Sequence, residues 1–436
     1  MKQRSISVGL DIGTTKTATI IGRENEYGKL DILGLGVAKS KGVHRGVVSN
    51  QVQTIQSIKK AVEQSERLSG HTIKDITVGI AGQHIRSLQH NDYVTISNSE
   101  GVIRAEDVNR LKAQAYKLKM RAGEEIIHAL PQDYTIDDQT EIKDPVGMYG
   151  NRLEANFHIV AGQISSIRNI AICVQKAGLN LKAITLEPLA SADSVLMKEE
   201  KEAGVTLVDI GGGTTDLAIF KGGILRHTAV IPYGGDIITK AIEEGCSLIN
   251  ATAEELKIKY GSAWPGMIGS NEIVSVRGLK GRPRKEISLR FLSGMIYATV
   301  EKIFKIVDNE IKNYGSSNQN RKLIAGIVLT GGGSQLKHLK QLVEYICGID
   351  VRIGRPTEHL AGDSDEATCS PKFATGIGLA MNPFMDVQDE KESVEKKECI
   401  PKEEEKEKRI EEKDFSRKRL WEKLMDGTRR FLERVE

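Results

Sequence analysis

Two distant stretches of this chain share one grammar. Residues 5–22, SISVGLDIGTTKTATIIG, and 205–220, VTLVDIGGGTTDLAIF, each place two β-rich runs around a glycine–threonine turn, the look of a hairpin. Asp11-Ile12-Gly13 aligns with Asp209-Ile210-Gly211, and Thr14-Thr15 with Thr214-Thr215, leaving two extra glycines in the second copy. The aspartates lie 198 positions apart, so the repeating unit is a whole domain. A third cluster, Gly331-Gly332-Gly333-Ser334, follows the apolar run 324–330 and precedes a helix-like stretch over 335–346. The expected fold is α/β, with two related halves and three glycine turns, each at the end of a strand.

Such turns suit a particular chemistry. A triphosphate with its Mg²⁺ needs backbone N–H groups that approach closely, hydroxyls or a lysine for its oxygens, and carboxylates for the metal's water shell. Gly13 and Gly211, Gly212 and Gly213 permit the close approach. Thr14, Thr15, Thr214 and Thr215 offer hydroxyls, Lys16 a cation, and Asp11 and Asp209 the metal-side carboxylates. No G-x-x-x-x-G-K-[ST], G-x-S-x-G or H-E-x-x-H occurs, and Gly34-Leu35-Gly36 lacks the third glycine of a dinucleotide fingerprint. One Asp-x-Gly hairpin alone is most simply a plain turn; two copies at domain spacing with a third glycine cluster favour the phosphate reading.

Composition narrows the class. The chain has 436 residues and a formal charge of +3, which gives no overall field to attract nucleic acid. Its five cysteines form no C-x-x-C pair, against a disulfide framework or a zinc site and in favour of a reducing compartment. No apolar run approaches the ~18 residues of a membrane span. Residues 50–70 repeat apolar positions at helical spacing, and 293–311 predict a longer helix of the same kind. Between Asp386 and Asp414, 21 of 29 residues are charged and none is glycine, a composition that cannot bury enough surface to form a core.

The glycine hairpins resemble the actin, hexokinase and heat-shock-chaperone ATPase superfamily, whose nucleotide lies between two duplicated domains. That resemblance implies ATP and Mg²⁺ as cofactors, Asp11 to Lys16 and Asp209 to Thr215 as phosphate loops, and Gly331 to Ser334 against the adenosine. It implies Glu187, in LEPLA, as the general base or water-positioning group; the plainer reading is a carboxylate at a helix N-terminus, which Pro188 favours. Glu254-x-x-Lys257 resembles a pair that reaches ribose and adenine, its spacing placing both on one helix face. Gly234-Gly235-Asp236, after Ile231-Pro232, would be a further loop near the phosphates.

Within that superfamily, residues 128–159, HALPQDYTIDDQTEIKDPVGMYGNRLEANFHI, resemble the bacterial cell-division FtsA family, as do VGIAGQHI and IPYGGDIIT. The resemblance implies a first actin-like ATPase domain over 1–84 and 166–204, an inserted family-specific subdomain over 85–165, and a second ATPase domain over 205–250 and 320–384. A further insertion at 251–319 would dock the C-terminal tail of FtsZ, with a basic patch of Arg277, Lys280, Arg282, Arg284, Lys285 and Arg290. Thr299 stands there where many members carry an arginine. A charged flexible linker over 385–414 and an amphipathic helix over 415–436 would complete the chain. The implied function is a protein that tethers FtsZ filaments to the cytoplasmic face of the inner membrane, polymerises on it, meets other divisome proteins at the septum and hydrolyses ATP slowly. A pilus-assembly type of adaptor and a small-molecule kinase are the alternatives from the same superfamily.

The tail supports the membrane reading by itself. At 100° per residue, Leu420, Trp421, Leu424, Met425, Phe431, Leu432 and Val435 fall within an arc of roughly 140°. Lys423, Arg430 and Arg434 flank that face. An apolar stripe with Trp and Phe beside basic residues suits the headgroup boundary of anionic lipids. The plainer alternative is docking on a protein surface, against which the preceding 29-residue charged spacer argues. Whole-chain neutrality hides this division: the segment 386–414 carries 13 acidic and 8 basic residues, and the final 22 carry 7 basic and 4 acidic.

Overall fold

The computed structural model describes residues 6–269, 271–277, 283–316, 323–362 and 366–382. The charged segment, the amphipathic helix with its seven apolar positions, and Lys280 and Arg282 of the basic patch lie outside the described residues.

The duplicated hairpins sit at the centres of two sheets with one topology. In the first, the order is Asn180–Leu186, Asp75–Ile80, Ile6–Ile12, Lys16–Glu24 and Leu30–Lys39. In the second, it is Val351–Ile353, Ile327–Thr330, Val205–Ile210, Thr215–Lys221 and Ile224–Ile231. Each hairpin is antiparallel, pairing Ile12 with Thr17 and Ile210 with Thr215 at its closed end. Each inner strand also has a parallel neighbour on its other side. Central strands covered on both faces need continuous apolar runs, and Val205–Ile210 is buried at every position.

Helices cover these faces where their patterns require. Gln51–Ser69 begins at Asn50, whose side chain accepts a hydrogen bond from the Gln53 N–H, and ends at Gly70 in the left-handed conformation. Its buried Ile58 and Val62 join Val8, Leu10 and Val78 in the core of the first half. The helix Leu289–Ser316 extends the periodic stretch of the sequence at both ends. It forms no separate core: Leu292, Ile296, Phe304 and Val307 pack with Leu217, Ile219 and Leu329 of the second sheet. The helix-like stretch 335–346 divides instead into a 3₁₀ turn, Gly332–Gln335, and a helix, Leu339–Cys347. The break is His338, at φ 60°, whose Nδ1 is 2.9 Å from the Ser262 hydroxyl.

The inserted stretch folds on its own core. Arg86–Thr95, Arg152–Gln163, Glu124–Ile136 and Gln139–Ile142 form a four-stranded antiparallel sheet, covered by the helix Ala105–Ala115. Val108 and Leu111 of that helix meet Leu153, Phe157 and Ile159 of the sheet. A further helix, over 374–382, lies on the seam between the halves. Ser194 donates to the Ala374 carbonyl at 2.8 Å, Ser7 to that of Ala380, and the Asn382 amide to the Thr185 hydroxyl at 2.6 Å.

Candidate functional site

The glycine turns of both halves open into one cavity of about 570 Å³. Asp11, Gly13, Thr14, Thr15 and Lys16 line one side, and Asp209, Gly211, Gly212, Gly213 and Thr214 the other. Glu187, Gly235, Glu254, Lys257, Gly331, Gly332 and Gly333 complete the anticipated set on its wall. Thr215, Gly234 and Ser334 are not lining residues, because each is committed inside its loop. Thr215 donates its hydroxyl to the Tyr233 carbonyl at 2.8 Å, and Ser334 donates to that of Gly331 at 2.8 Å. Gly234 packs against the Gly211, Gly212 and Thr214 carbonyls.

Two glycines show why the turns need them. Gly331 has φ +80°, and a Cβ there would meet Asp209 Oδ1 and lie 2.6 Å from the Ile210 carbonyl oxygen. At Gly213 a Cβ would lie 2.6 Å from Thr14 Oγ1 and 2.9 Å from Arg45 Cα, atoms of the opposite half. The two loops therefore meet backbone to side chain across the cleft.

Between them is a cluster of carboxylates. Asp11 is ion-paired with Lys16. Asp209 accepts hydrogen bonds from the Ser191 hydroxyl at 2.6 Å and the Thr375 hydroxyl at 3.2 Å. Burial raises the Asp209 carboxyl nonetheless, helped by the Asp11 charge. Burial and the Asp209 charge push Asp216 up to about 8. Its Oδ2 accepts from Thr214 at 3.0 Å, whereas its buried Oδ1 has no hydrogen-bond partner. Glu187 is raised well above the usual carboxylate range by burial and then by Asp11, Asp216 and Asp209. Burial pulls Lys16 down, but Asp11, Asp209 and Glu187 together outweigh it and the ammonium is raised. Asp209, Asp216 and Glu187 are thus all held above the usual carboxylate range, and added positive charge beside them would oppose that rise.

Glu187 is the first residue of the helix Glu187–Val195, with Pro188 next, a helix-terminal carboxylate on the cavity wall. At the far end, Lys257 lies 2.7 Å from Glu254 and donates to the Gly235 carbonyl at 3.0 Å. Asp236, expected in the loop near the phosphates, is also on the wall, whereas sequence reasoning passed over Asp216, Thr375, Lys337 and Lys372, all on the cavity wall. The strand register corrects the alignment of the repeat: the two turns are equally long, without an insertion of two glycines, and Asp216 faces Asp209 as Ala18 faces Asp11.

Comparison with known proteins agrees with this architecture. A family model described as cell division protein FtsA matches residues 206–378, and one described as the SHS2 domain inserted in FtsA matches 82–161. The chain is 40% identical over 374 residues to cell division protein FtsA of Pseudomonas aeruginosa, covering 86% of this chain and 88% of that protein. It is 39% identical over 378 residues to that of Neisseria meningitidis, covering 87% and 90%. The K12 strain of Escherichia coli has a relative 33% identical over 380 residues, with 86% and 90% covered. Among solved structures, the PilM–PilN type IV pilus biogenesis complex matches with a TM-score of 0.62 at 17% identity, covering 87% of this chain and 98% of that one. MreB5 of Spiroplasma citri bound to ADP matches at 0.52 and 15%, covering 90% and 99%. At such identities these two show the actin-like fold alone. With a third to two fifths of its residues matching named relatives over nearly their full length, this chain belongs to the FtsA family of cell-division proteins.

Proposed function

We propose that the chain binds Mg·ATP in the cleft between its halves and works in division as a nucleotide-controlled adaptor, tethering FtsZ filaments to the inner membrane and polymerising there. The observation that carries the nucleotide reading is the buried acid cluster between the two glycine loops, with the Asp216 oxygen left unpaired. A cluster whose acids rise on burial fits a site meant for divalent charge, and loops open to backbone contact fit phosphates. Asp11 and Asp209 would hold the metal's water shell, and Lys16, Thr14 and Thr214 the phosphate oxygens.

Bound Mg²⁺ would supply charge neutralisation for phosphoryl transfer. Glu187 would orient the attacking water and take up its proton, and its helix-terminal position keeps the carboxylate on the cleft wall. Glu254 and Lys257 would meet the ribose and base. Because the loops touch through Gly213 and Thr14, a ligand held by both would keep the halves together.

Attachment is proposed from the sequence of the tail, whose apolar stripe with flanking Lys423, Arg430 and Arg434 suits a lipid surface. Among the described residues no helix is long and apolar enough to cross a membrane. A tail charge of +3 is worth about 3 kcal/mol at an anionic surface, so single copies would bind reversibly and filaments by avidity. Co-sedimentation with anionic vesicles, with and without Mg·ATP and an FtsZ C-terminal peptide, tests the whole. Vesicle binding lost on Trp421→Glu, and peptide retained on vesicles only with this chain, are expected. Absence of both would overturn the adaptor role.

A further inference from the structure

The strand Glu124–Ile136 belongs to the inserted sheet, yet its side chains reach both halves of the cleft. Toward the first half, His128 Nε2 accepts a hydrogen bond from the Leu186 N–H at 3.1 Å. Leu186 ends the outermost strand of the first sheet and is the N-cap residue of the helix that Glu187 opens. No side chain of that helix caps its own terminus. Toward the second half, the Gln132 amide donates to the Leu225 carbonyl, and Asp133 accepts both terminal nitrogens of Arg226, one at 3.0 Å. Leu225 and Arg226 lie on the edge strand Ile224–Ile231.

The register explains how one strand faces two ways. Pairing of Glu124–Ile136 with Arg152–Gln163 slips between Val160 and Ala161, bypassing Ile127, and again between Asn156 and Phe157, bypassing Gln132. Each bulge re-aims the side chains beside it. One adjoins His128 and the other is Gln132 itself. Burial lowers His128 to about 4, so the imidazole is neutral at physiological pH and, with Nε2 accepting, its proton is on Nδ1.

We propose that His128 is a positioning residue for Glu187: by holding the Leu186 N–H it sets the start of the Glu187 helix, and through Gln132 and Asp133 the same strand makes that position depend on the second half. The inserted module thereby acts on hydrolysis without entering the cleft. This rests on the ATP reading above and gives the HALPQD stretch, the most distinctive piece of the sequence, a mechanical role.

The test uses the full chain with His128→Phe, His128→Asn and His128→Gln. Single-turnover cleavage of ATP and equilibrium ATP affinity are measured separately, with thermal melts as a folding control. Glutamine carries an amide at the reach of Nε2, whereas asparagine stops short. Phe and Asn are expected to slow cleavage about tenfold or more with affinity within about twofold, as for a misplaced catalytic group, and Gln to restore most of the rate. Wild-type rates in both Phe and Asn would overturn the proposal, as would an equal loss in all three variants. If Phe does not fold, Asn against Gln decides alone. The unmodified chain tests the underlying reading: no ATP binding refutes the nucleotide site, and binding without cleavage refutes the role of Glu187 and this inference with it.

Discussion

The two central hairpins have the same strand pairing and the same Asp-x-Gly turn, yet they differ in charge at two matched positions. Ile12 faces Thr17 and Ile210 faces Thr215, so the turns are equally long: Lys16 in the first stands where Thr214 stands in the second, and Ala18 where Asp216 stands. In the first hairpin the lysine neutralises its own aspartate; in the second, Asp209 is left to hydroxyls from Ser191 and Thr375, and Asp216 is protonated at neutral pH with one oxygen unpaired. Duplication supplied a symmetrical frame, and two charge differences divide labour within it: the first hairpin presents a cation, the second an additional acid.

The sharpest way to break this contrast is Asp209→Ala, which removes the acid that both hydroxyls orient. Mg·ATP affinity measured by calorimetry should fall at least about a hundredfold, since a fully desolvated charge contact is lost; unchanged affinity would remove the nucleotide assignment. Lys16→Ala should be next, with about a tenfold to hundredfold weakening from the loss of a charge-assisted contact. Affinity in Lys16→Ala equal to the parent's would remove this lysine from the phosphate contacts.

Gly213→Ala probes the loop contact rather than the charge. Its Cβ would press on Arg45 backbone at 2.9 Å across the cleft, whereas a Cβ at Gly13 meets atoms of its own turn, the Lys16 carbonyl at 3.0 Å and Asp11 Oδ1 at 3.5 Å. Affinity should drop by roughly tenfold for Gly213→Ala and less for Gly13→Ala, as a backbone clash costs more than a few tenths of an ångström of local adjustment. The reverse order would mean that the loops are not held together by this contact.

The smallest expected effect concerns pH. Asp216 binds its proton more tightly folded than unfolded, so its contribution to ligand-free stability is full below the ordinary value of 3.8 and is lost as pH rises toward about 8. Melting temperature should decline across that window, and Asp216→Asn should flatten the decline. A variant with the parent's slope would place the proton elsewhere in the cluster.

How much of this could be read from sequence follows from distance along the chain. Both hairpins were legible because strand, turn and carboxylate are consecutive, and a run such as VTLVDI announces a strand buried on both faces. The helix Gln51–Ser69 was legible because Asn50 and Gly70 mark its ends. Thr375 was not, since its partner Asp209 is 166 residues away and only the seam helix brings them together. The break at His338 was hidden for a similar reason: periodicity continues through it, and the left-handed turn is accompanied by a contact with Ser262, 76 residues earlier. Thr215 matched its repeat partner in type but serves its own loop, because equivalence in sequence does not specify which way a hydroxyl turns.

The seam helix over 374–382 is the last piece of chain the structure describes, and its fastenings run to both lobes: Ser7, Thr185, Ser194 and Asp209. Viewed as a mechanical joint, this is where a rope would be tied. A pull on whatever follows residue 382 would be borne first by these hydrogen bonds, one of them to Asp209 of the acid cluster.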